Sequence, residues 1–313
     1  MSKIIKIHLQ NDNIIRINYI MTTSCPYACR YCPDRLHLGK HKDINLDNLE
    51  TFFKKFSNRK VLLTLTGGEC STHPQFTDII SLAKRLGITV SVDSNSVRTV
   101  RFYDEVKELV DCWNFTLHPS QHIFDLDKIK AVTNHSFVVV FVGMDPDHWE
   151  KSVDWYNRVC QLDNIKVMPI KLISDWAGAT CDIIYTEEQE QFMAENGSKL
   201  TLTKERYAEL EKTHQWLLES ESYGTDENGN VSVLDPYRMI KENTNVFTGW
   251  SCNAGNDSIS IYDDESADWA NCGIKRYSNF LDIDPIELAK PLICTLPACT
   301  CGTDIRSAKT FVQ

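Results

Sequence analysis

Three cysteines near the start of the chain, Cys25, Cys29 and Cys32, are spaced C-x3-C-x2-C. Thiolates are soft donors, and runs this dense hold metal; iron–sulfur clusters are bound by such spacings. Three protein ligands leave one iron of a four-iron cluster without a side-chain donor. An open coordination position is where a catalytic metal site takes its substrate. The inert alternatives are a zinc knuckle lacking its fourth ligand and three core cysteines. Composition points to metal: there are twelve cysteines among 313 residues. Met1-Ser2-Lys3-Ile4-Ile5-Lys6 has no export signal, so a reducing cytoplasm is expected rather than a disulfide framework.

Further polar and sulfur groups punctuate the chain. Gly67-Gly68-Glu69 follows an apolar run directly; paired glycines let backbone approach a ligand, and the carboxylate can accept from an ammonium group. Asp93, Ser94 and Asn95, and later His118 and Ser120, offer groups suited to a ribose or carboxylate. Five cysteines then close the chain: Cys252, Cys272, Cys294, Cys299 and Cys301. Four thiolates complete a cluster; Cys252 and Cys272 are the firmest, and the sequence leaves open which two of the other three join them. A structural zinc site is the alternative. Cys112 and Cys160 read as core, whereas Cys181 could face a cavity. His73, His135 and His214 lack partners at metal spacing.

The elements that must position these groups alternate. Residues 3–9 and 14–20 read as a hairpin turned at Asn11-Asp12-Asn13. Strands follow at 61–66, 88–93, 112–117, 137–142 and 165–171, with helices over 46–56, 73–86, 100–110, 126–132 and 146–160. Counting from Ile15, six strands alternate with helices, which predicts a parallel sheet covered on both faces. Ligands bind such sheets at the C-terminal strand ends. The cysteine loop, Gly67-Gly68-Glu69, Asp93-Ser94-Asn95, His118-Pro119-Ser120 and Gly143-Met144-Asp145 all fall there. Beyond Ser174 come helices over 186–195 and 203–221, a polar and flexible loop over 224–230, and a hairpin over 258–272 with a cysteine at each base. Trp176, Tyr185, Tyr237, Arg238 and Trp250 are candidates for substrate contact.

The cysteine triplet, with Tyr31 before its last member, and Gly67-Gly68-Glu69 together resemble the radical SAM superfamily. The resemblance implies an α/β fold: a partial (βα)6 radical SAM barrel over 1–173. It further implies a helical, substrate-lining region over 174–250 and a small C-terminal α+β auxiliary-cluster extension over 251–313. The late cysteines are similar to a twitch or SPASM-type extension, and five of them suit one cluster. It implies a [4Fe-4S] cluster on Cys25, Cys29 and Cys32 whose open iron binds S-adenosylmethionine. Contacts to that cosubstrate are implied for Gly67, Gly68, Glu69, Asp93, Ser94, Asn95, His118 and Ser120. The residue after Glu69, usually proline, is Cys70; it and Cys181 are candidate hydrogen-atom donors. An external donor such as flavodoxin or ferredoxin is implied.

The implied chemistry is reductive cleavage to a 5′-deoxyadenosyl radical, abstraction of a substrate C–H hydrogen, and oxidation of the substrate radical through an auxiliary cluster. Peptide or protein modification is favoured over small-molecule dehydrogenation or epimerisation. Only 24 residues precede Cys25, too few for a fused peptide-recognition domain. A non-catalytic iron–sulfur or zinc protein is the alternative from another class. The net charge of −10 disfavours nucleic acid and anionic membrane surfaces as partners.

Overall fold

The structure, a computed structural model, describes residues 3–11, 13–121, 125–172, 182–213 and 221–312, apart from the side chains at 237 and 241. In chain order the first strands are β1 (Ile4–Leu9), β2 (Ile14–Thr22), β3 (Lys60–Gly67), β4 (Thr89–Ser94), β5 (Cys112–Leu117), β6 (Phe137–Met144), β7 (Ile165–Lys171) and β8 (Lys199–Leu200). They are followed by β9 (Ser222–Asp226), β10 (Val231–Val233), β11 (Ser251–Cys252), β12 (Ser258–Tyr262), β13 (Ala267–Trp269), β14 (Arg276–Tyr277), β15 (Leu292–Ile293) and β16 (Lys309–Thr310).

Strands β2 to β7 pair in sequence order, all parallel. Between them run α1 (Leu46–Lys54), α2 (Phe76–Arg85), α3 (Val100–Val106), α4 (Leu126–Lys130) and α5 (Trp149–Val159). The helices start where the sequence supplies caps: Asn45, Thr99 and Asp125 each accept a first-turn N–H. Alternate strand residues, such as Ile17, Leu65, Val92, Phe115, Val140 and Val167, are fully buried in one core with Phe52, Ile80 and Tyr156 of the helices.

The other face is not the second apolar layer expected from sequence. Period-two geometry puts Arg16, Asn18, Thr64, Thr66, Asp93 and Asn114 there. A sheet buried by helices on both sides would read as a continuous apolar run; β6 does, but β2 to β5 alternate, so their second face is polar.

The expected hairpin of residues 3–9 with 14–20 does not form. Strand β1 pairs with β9 and β16, and β2 with β3 and β12. Both segments carry strand patterns, but burial chooses the partner: Ile7 packs with Leu234, Phe247, Trp250 and Ile305 in a separate core. Strand β12 extends the main sheet, running parallel to β2 from Ser258 opposite Arg16 to Tyr262 opposite Ile20. It turns into β13 as expected. The second sheet has the order β10-β9-β1-β16-β11-β15.

In the segment 224–230, expected as a flexible loop, residues 224–226 are the end of β9 and 227–230 form the hairpin turn that leads into β10. That turn is closed by Asp226 Oδ1, which accepts from the N–H groups of Asn228 and Asn230 at 2.9 and 2.8 Å. Helix α6 (Glu187–Glu195) begins in a capping box of Thr186 and Gln189. Thr203 accepts from Arg206 N at the start of α7 (Lys204–Thr213). Residues 214–220 of the helix expected to 221 lie outside the described residues, and Glu221 is not helical. Among those residues no helix is long and apolar enough to cross a membrane.

Candidate functional site

The loop carrying Cys25, Cys29 and Cys32 leaves β2 and is tied to the C-terminal ends of the neighbouring strands. At β3, Gly68 N donates to Thr22 O and Glu69 N to Ser24 O, both at 2.8 Å. Both glycines are required there. Gly67 has φ +125°, and a Cβ on it would lie 2.2 Å from Thr22 O; a Cβ on Gly68 would lie 2.2 Å from Ser24 O. At β4, Asn95 Nδ2 donates to Cys25 Sγ at 3.3 Å. At β5, Tyr31 OH and His118 Nδ1 are 2.7 Å apart, and Gln121 Oε1 accepts from Ala28 N. At β6, Arg30 reaches the buried Asp145 at 3.4 Å and Asp147 at 2.9 Å. Cys29, Cys32, Tyr27 and Tyr31 pack against Leu172 after β7.

Glu69 is the hub beneath the loop and is fully buried. Its Oε1 accepts from Ser71 N at 3.2 Å, from Ser71 Oγ and from Ser94 Oγ at 3.0 Å; its Oε2 accepts from Asn95 N at 2.6 Å. Burial raises its carboxyl pKa, and these donors oppose the shift. The carboxylate is turned inward, where it braces the β4 end.

Burial lifts the Cys25 thiol up to about 11 and the Cys29 thiol up to about 12. Donors aimed at sulfur work the other way: Tyr27 N and Asn95 Nδ2 both point at Cys25 Sγ, and the Tyr31 hydroxyl faces Cys29. A thiol accepting N–H groups is placed as a thiolate would be, which suits metal ligation.

The remaining candidates fall elsewhere. Asp93 turns its carboxylate to Asn114 Nδ2 at 2.9 Å on the polar sheet face. The Ser120 hydroxyl is buried just beyond His118. Cys70 is 0% exposed, and its thiol donates to Asp93 O at 3.2 Å and Leu65 O at 3.6 Å. Cys181 and Trp176 lie outside the described residues. Tyr185 is structural, its hydroxyl bound to Leu172 N and Met144 O. Trp250 is buried in the second core, and Arg238 is paired with Glu242 on the surface. His73 accepts from Gln75 N and contacts Lys42 O, while His135 pairs with Glu108.

The late cysteines gather at a second place. Cys294 N donates to Trp250 O, Cys299 N to Asn245 O, and the Cys299 carbonyl accepts from Asn245 Nδ2. Cys252 is close enough to Cys272, Cys294 and Cys299 for their thiolates to repel one another. Cys301 instead accepts from Asn271 Nδ2 at 3.3 Å. Asn271 is itself held by Ser260, Asn18 and Asp304. Burial pushes Cys272 up to about 12 and Cys299 up to about 11, with Lys309 opposing it at Cys299. Among the described residues, no three His, Cys, Asp or Glu side chains close on one point as a single ion would require.

Residues missed from sequence are the ones that support the cysteines: Arg30 and Asp145, Asn271, and Lys309. Only Asp145 carried a signal, its place at a strand end.

Residues 19–140 match the model of the Radical SAM superfamily, a stretch that contains both the cysteine triplet and Gly67-Gly68-Glu69. Among solved structures, SuiB of Streptococcus suis bound to S-adenosylmethionine aligns with a TM-score of 0.53 at 10% identity, covering 88% of this chain and 65% of SuiB. SuiB bound to precursor peptide SuiA aligns with a TM-score of 0.51 at 10% identity, covering 88% of this chain and 64% of that one. Native anSMEcpe with bound AdoMet and Cp18Cys peptide gives 0.52 at 13% identity, covering 88% and 79%. The likeness to these structures is one of fold: a large parallel sheet in a mixed α/β chain. The chain spans about two thirds of the length of SuiB. No curated protein matches it.

Proposed function

We propose that this chain is a radical S-adenosylmethionine enzyme that oxidatively modifies a peptide or protein, using a second iron–sulfur cluster. The observation that carries this reading is the convergence of five strand ends on one cysteine loop, with N–H donors aimed at Cys25 sulfur. Cys25, Cys29 and Cys32 would hold a [4Fe-4S] cluster. Bound there, that cluster supplies the electron that cleaves S-adenosylmethionine to methionine and a 5′-deoxyadenosyl radical, which takes a hydrogen atom from a substrate C–H bond.

This chain's residues position and shield that chemistry. Gly67 and Gly68 bring backbone against the loop where no side chain fits. Glu69 fixes Ser94 and Asn95, and Asn95 in turn orients Cys25. Tyr31 and His118 hold the loop over β5. The polar sheet face, with Asn18, Thr64, Asp93 and Asn114, offers hydrogen-bonding groups to a polar substrate segment.

Cys252, Cys272, Cys294 and Cys299 would hold the auxiliary cluster, with Cys301 outside the set on Asn271. Four thiolates are a complete ligand set for an iron–sulfur cluster. Such a cluster supplies an electron acceptor for the substrate radical. The peptide-bound forms of SuiB and anSMEcpe support a peptide substrate. Epimerisation is supported less, because the Cys70 thiol is committed to two core carbonyls. A flavodoxin or ferredoxin would deliver the first electron, and the free thiols suit the cytoplasm.

The test is anaerobic reconstitution with iron and sulfide, followed by S-adenosylmethionine and dithionite. The wild type is expected to form 5′-deoxyadenosine, and the Cys25→Ala/Cys29→Ala/Cys32→Ala variant none. Fully iron-loaded wild type that makes no 5′-deoxyadenosine would refute the enzyme reading. The Cys252→Ala/Cys272→Ala variant should retain cleavage while losing about half of the iron.

A further inference from the structure

The late thiols share their wall with a buried lysine. Lys309 is 3% exposed. It lies on β16 between two partners, opposite Ile7 of β1 on one side and opposite Cys252 of β11 on the other. Its Nζ donates to Asp304 O at 2.6 Å, lies 3.9 Å from Cys299 Sγ, and sits 4.3 Å from the centre of the Phe247 ring. A carbonyl dipole and a ring face each stabilise a cation in part. Neither offsets its full charge.

Among the described residues, Lys309 forms no ion pair with a carboxylate. The carboxylate of Asp304 accepts from Asn271 N at 3.0 Å; burial raises its pKa, and the Asn271 N–H and the charge of Lys309 oppose that rise. An ammonium this deep needs a nearby anion. The groups facing it that can provide one are the Asp304 carboxylate and the sulfurs of Cys299, 3.9 Å from Nζ, and Cys252, directly opposite on β11, once they ligate a cluster as thiolates.

We infer that Lys309 is a positioning residue for electron transfer: a fixed cation that raises the reduction potential of the auxiliary cluster. The inference rests on the proposed cluster at Cys252, Cys272, Cys294 and Cys299. One-electron reduction adds one negative charge to the cluster and its thiolates. A cation held close in a buried setting stabilises that reduced form more than the oxidised one. Potentials of iron–sulfur centres follow net charge, hydrogen bonds to sulfur and solvent exposure, and Lys309 supplies the first two. Its Nζ is held in place by Asp304 O and the Phe247 ring in a buried setting. A higher potential makes the cluster a better acceptor for the electron of a substrate radical.

The experiment uses the full chain with Cys25, Cys29 and Cys32 changed to alanine, so that only auxiliary iron remains. Lys309→Met and Lys309→Arg are introduced separately, iron and sulfide are counted, and the midpoint potential is read by titration followed by electron paramagnetic resonance. Lys309→Met is expected to shift the midpoint to more negative potential, and Lys309→Arg to stay near the parent value. If Lys309→Met loses its iron while Lys309→Arg keeps it, the charge is needed to hold the cluster, which also supports the inference. An unchanged midpoint in a fully loaded Lys309→Met variant would overturn it, as would equal loss of iron from both variants. A parent chain that binds no iron would instead bring down the auxiliary cluster itself, and the inference with it.

Discussion

At the scale of residues, the site depends on groups that tolerate no substitution for different reasons. Gly68 is limited by space: a Cβ would meet Ser24 O at 2.2 Å and Leu36 O at 3.1 Å, both backbone atoms that cannot turn aside. Gly68→Ala should therefore displace the cysteine loop. We expect it to lose the iron held by Cys25, Cys29 and Cys32, and with it 5′-deoxyadenosine formation, while auxiliary iron stays. Retention of both by the variant would show that the close approach is dispensable. Glu69 is limited by hydrogen bonding. Glu69→Gln turns an NH2 group toward Asn95 N, leaving donor against donor in a buried place, at a cost of about 1–3 kcal/mol. A urea midpoint unchanged from wild type would contradict that. The chemistry of this pair of motifs was legible in residue type and spacing. The inward turn of Glu69 was not, because it depends on Ser71, Ser94 and Asn95 arriving from two strand ends. Lys309 was less legible still: a lone lysine next to a C-terminal strand reads as solvated until the strand is seen between Ile7 and Cys252.

Elements explain why the loop is held and why part of the fold was misread. The loop is stitched to β5 and β6 by single side chains, so the stitches are testable one at a time. Tyr31→Phe removes the hydroxyl that meets His118 Nδ1 at 2.7 Å and leaves a half-buried imidazole nitrogen without that partner, a loss of about 1 kcal/mol or somewhat more. Because the same hydroxyl faces Cys29, we expect the variant to release iron to a chelator faster than wild type; equal release rates would confine Tyr31 to a packing role. The strand and helix repeat was readable because apolar or alternating strand runs are separated by amphipathic stretches, three of which (α1, α3 and α4) open on a side-chain cap. Partner choice was not. β1 carries a clear strand pattern, yet its neighbours in space come from residues 222–226 and 309–310. No local signal in 3–20 distinguishes that from a hairpin. β12 likewise joins β2 across more than two hundred residues of sequence, and only the finished sheet shows it.

For the whole molecule, the buried thiols couple metal loading to stability and pH. Burial holds Cys29 and Cys272 up to about 12 and Cys25 and Cys299 up to about 11, from 9.0 for an unperturbed thiol. The folded metal-free chain therefore keeps these protons at a pH where the unfolded chain releases them. Stability from this source is complete below about pH 9 and falls as pH rises toward the folded values, because the unfolded state then binds fewer protons. Several thiols in two sites move together, so the slope should be steep. Ligation changes the sign of the problem: a metal-bound cysteine has already lost its proton, and the loaded chain has no such stability to lose. Buried tyrosines such as Tyr31 and Tyr103, whose pKa values burial also raises, weaken both forms alike. The difference between the forms isolates the cysteines. Urea midpoints measured anaerobically between about pH 8 and pH 10 should fall for the metal-free chain and fall much less for the loaded one. Parallel slopes would mean that the thiols are not the groups metal binding deprotonates, and that neither cysteine set is a ligand set.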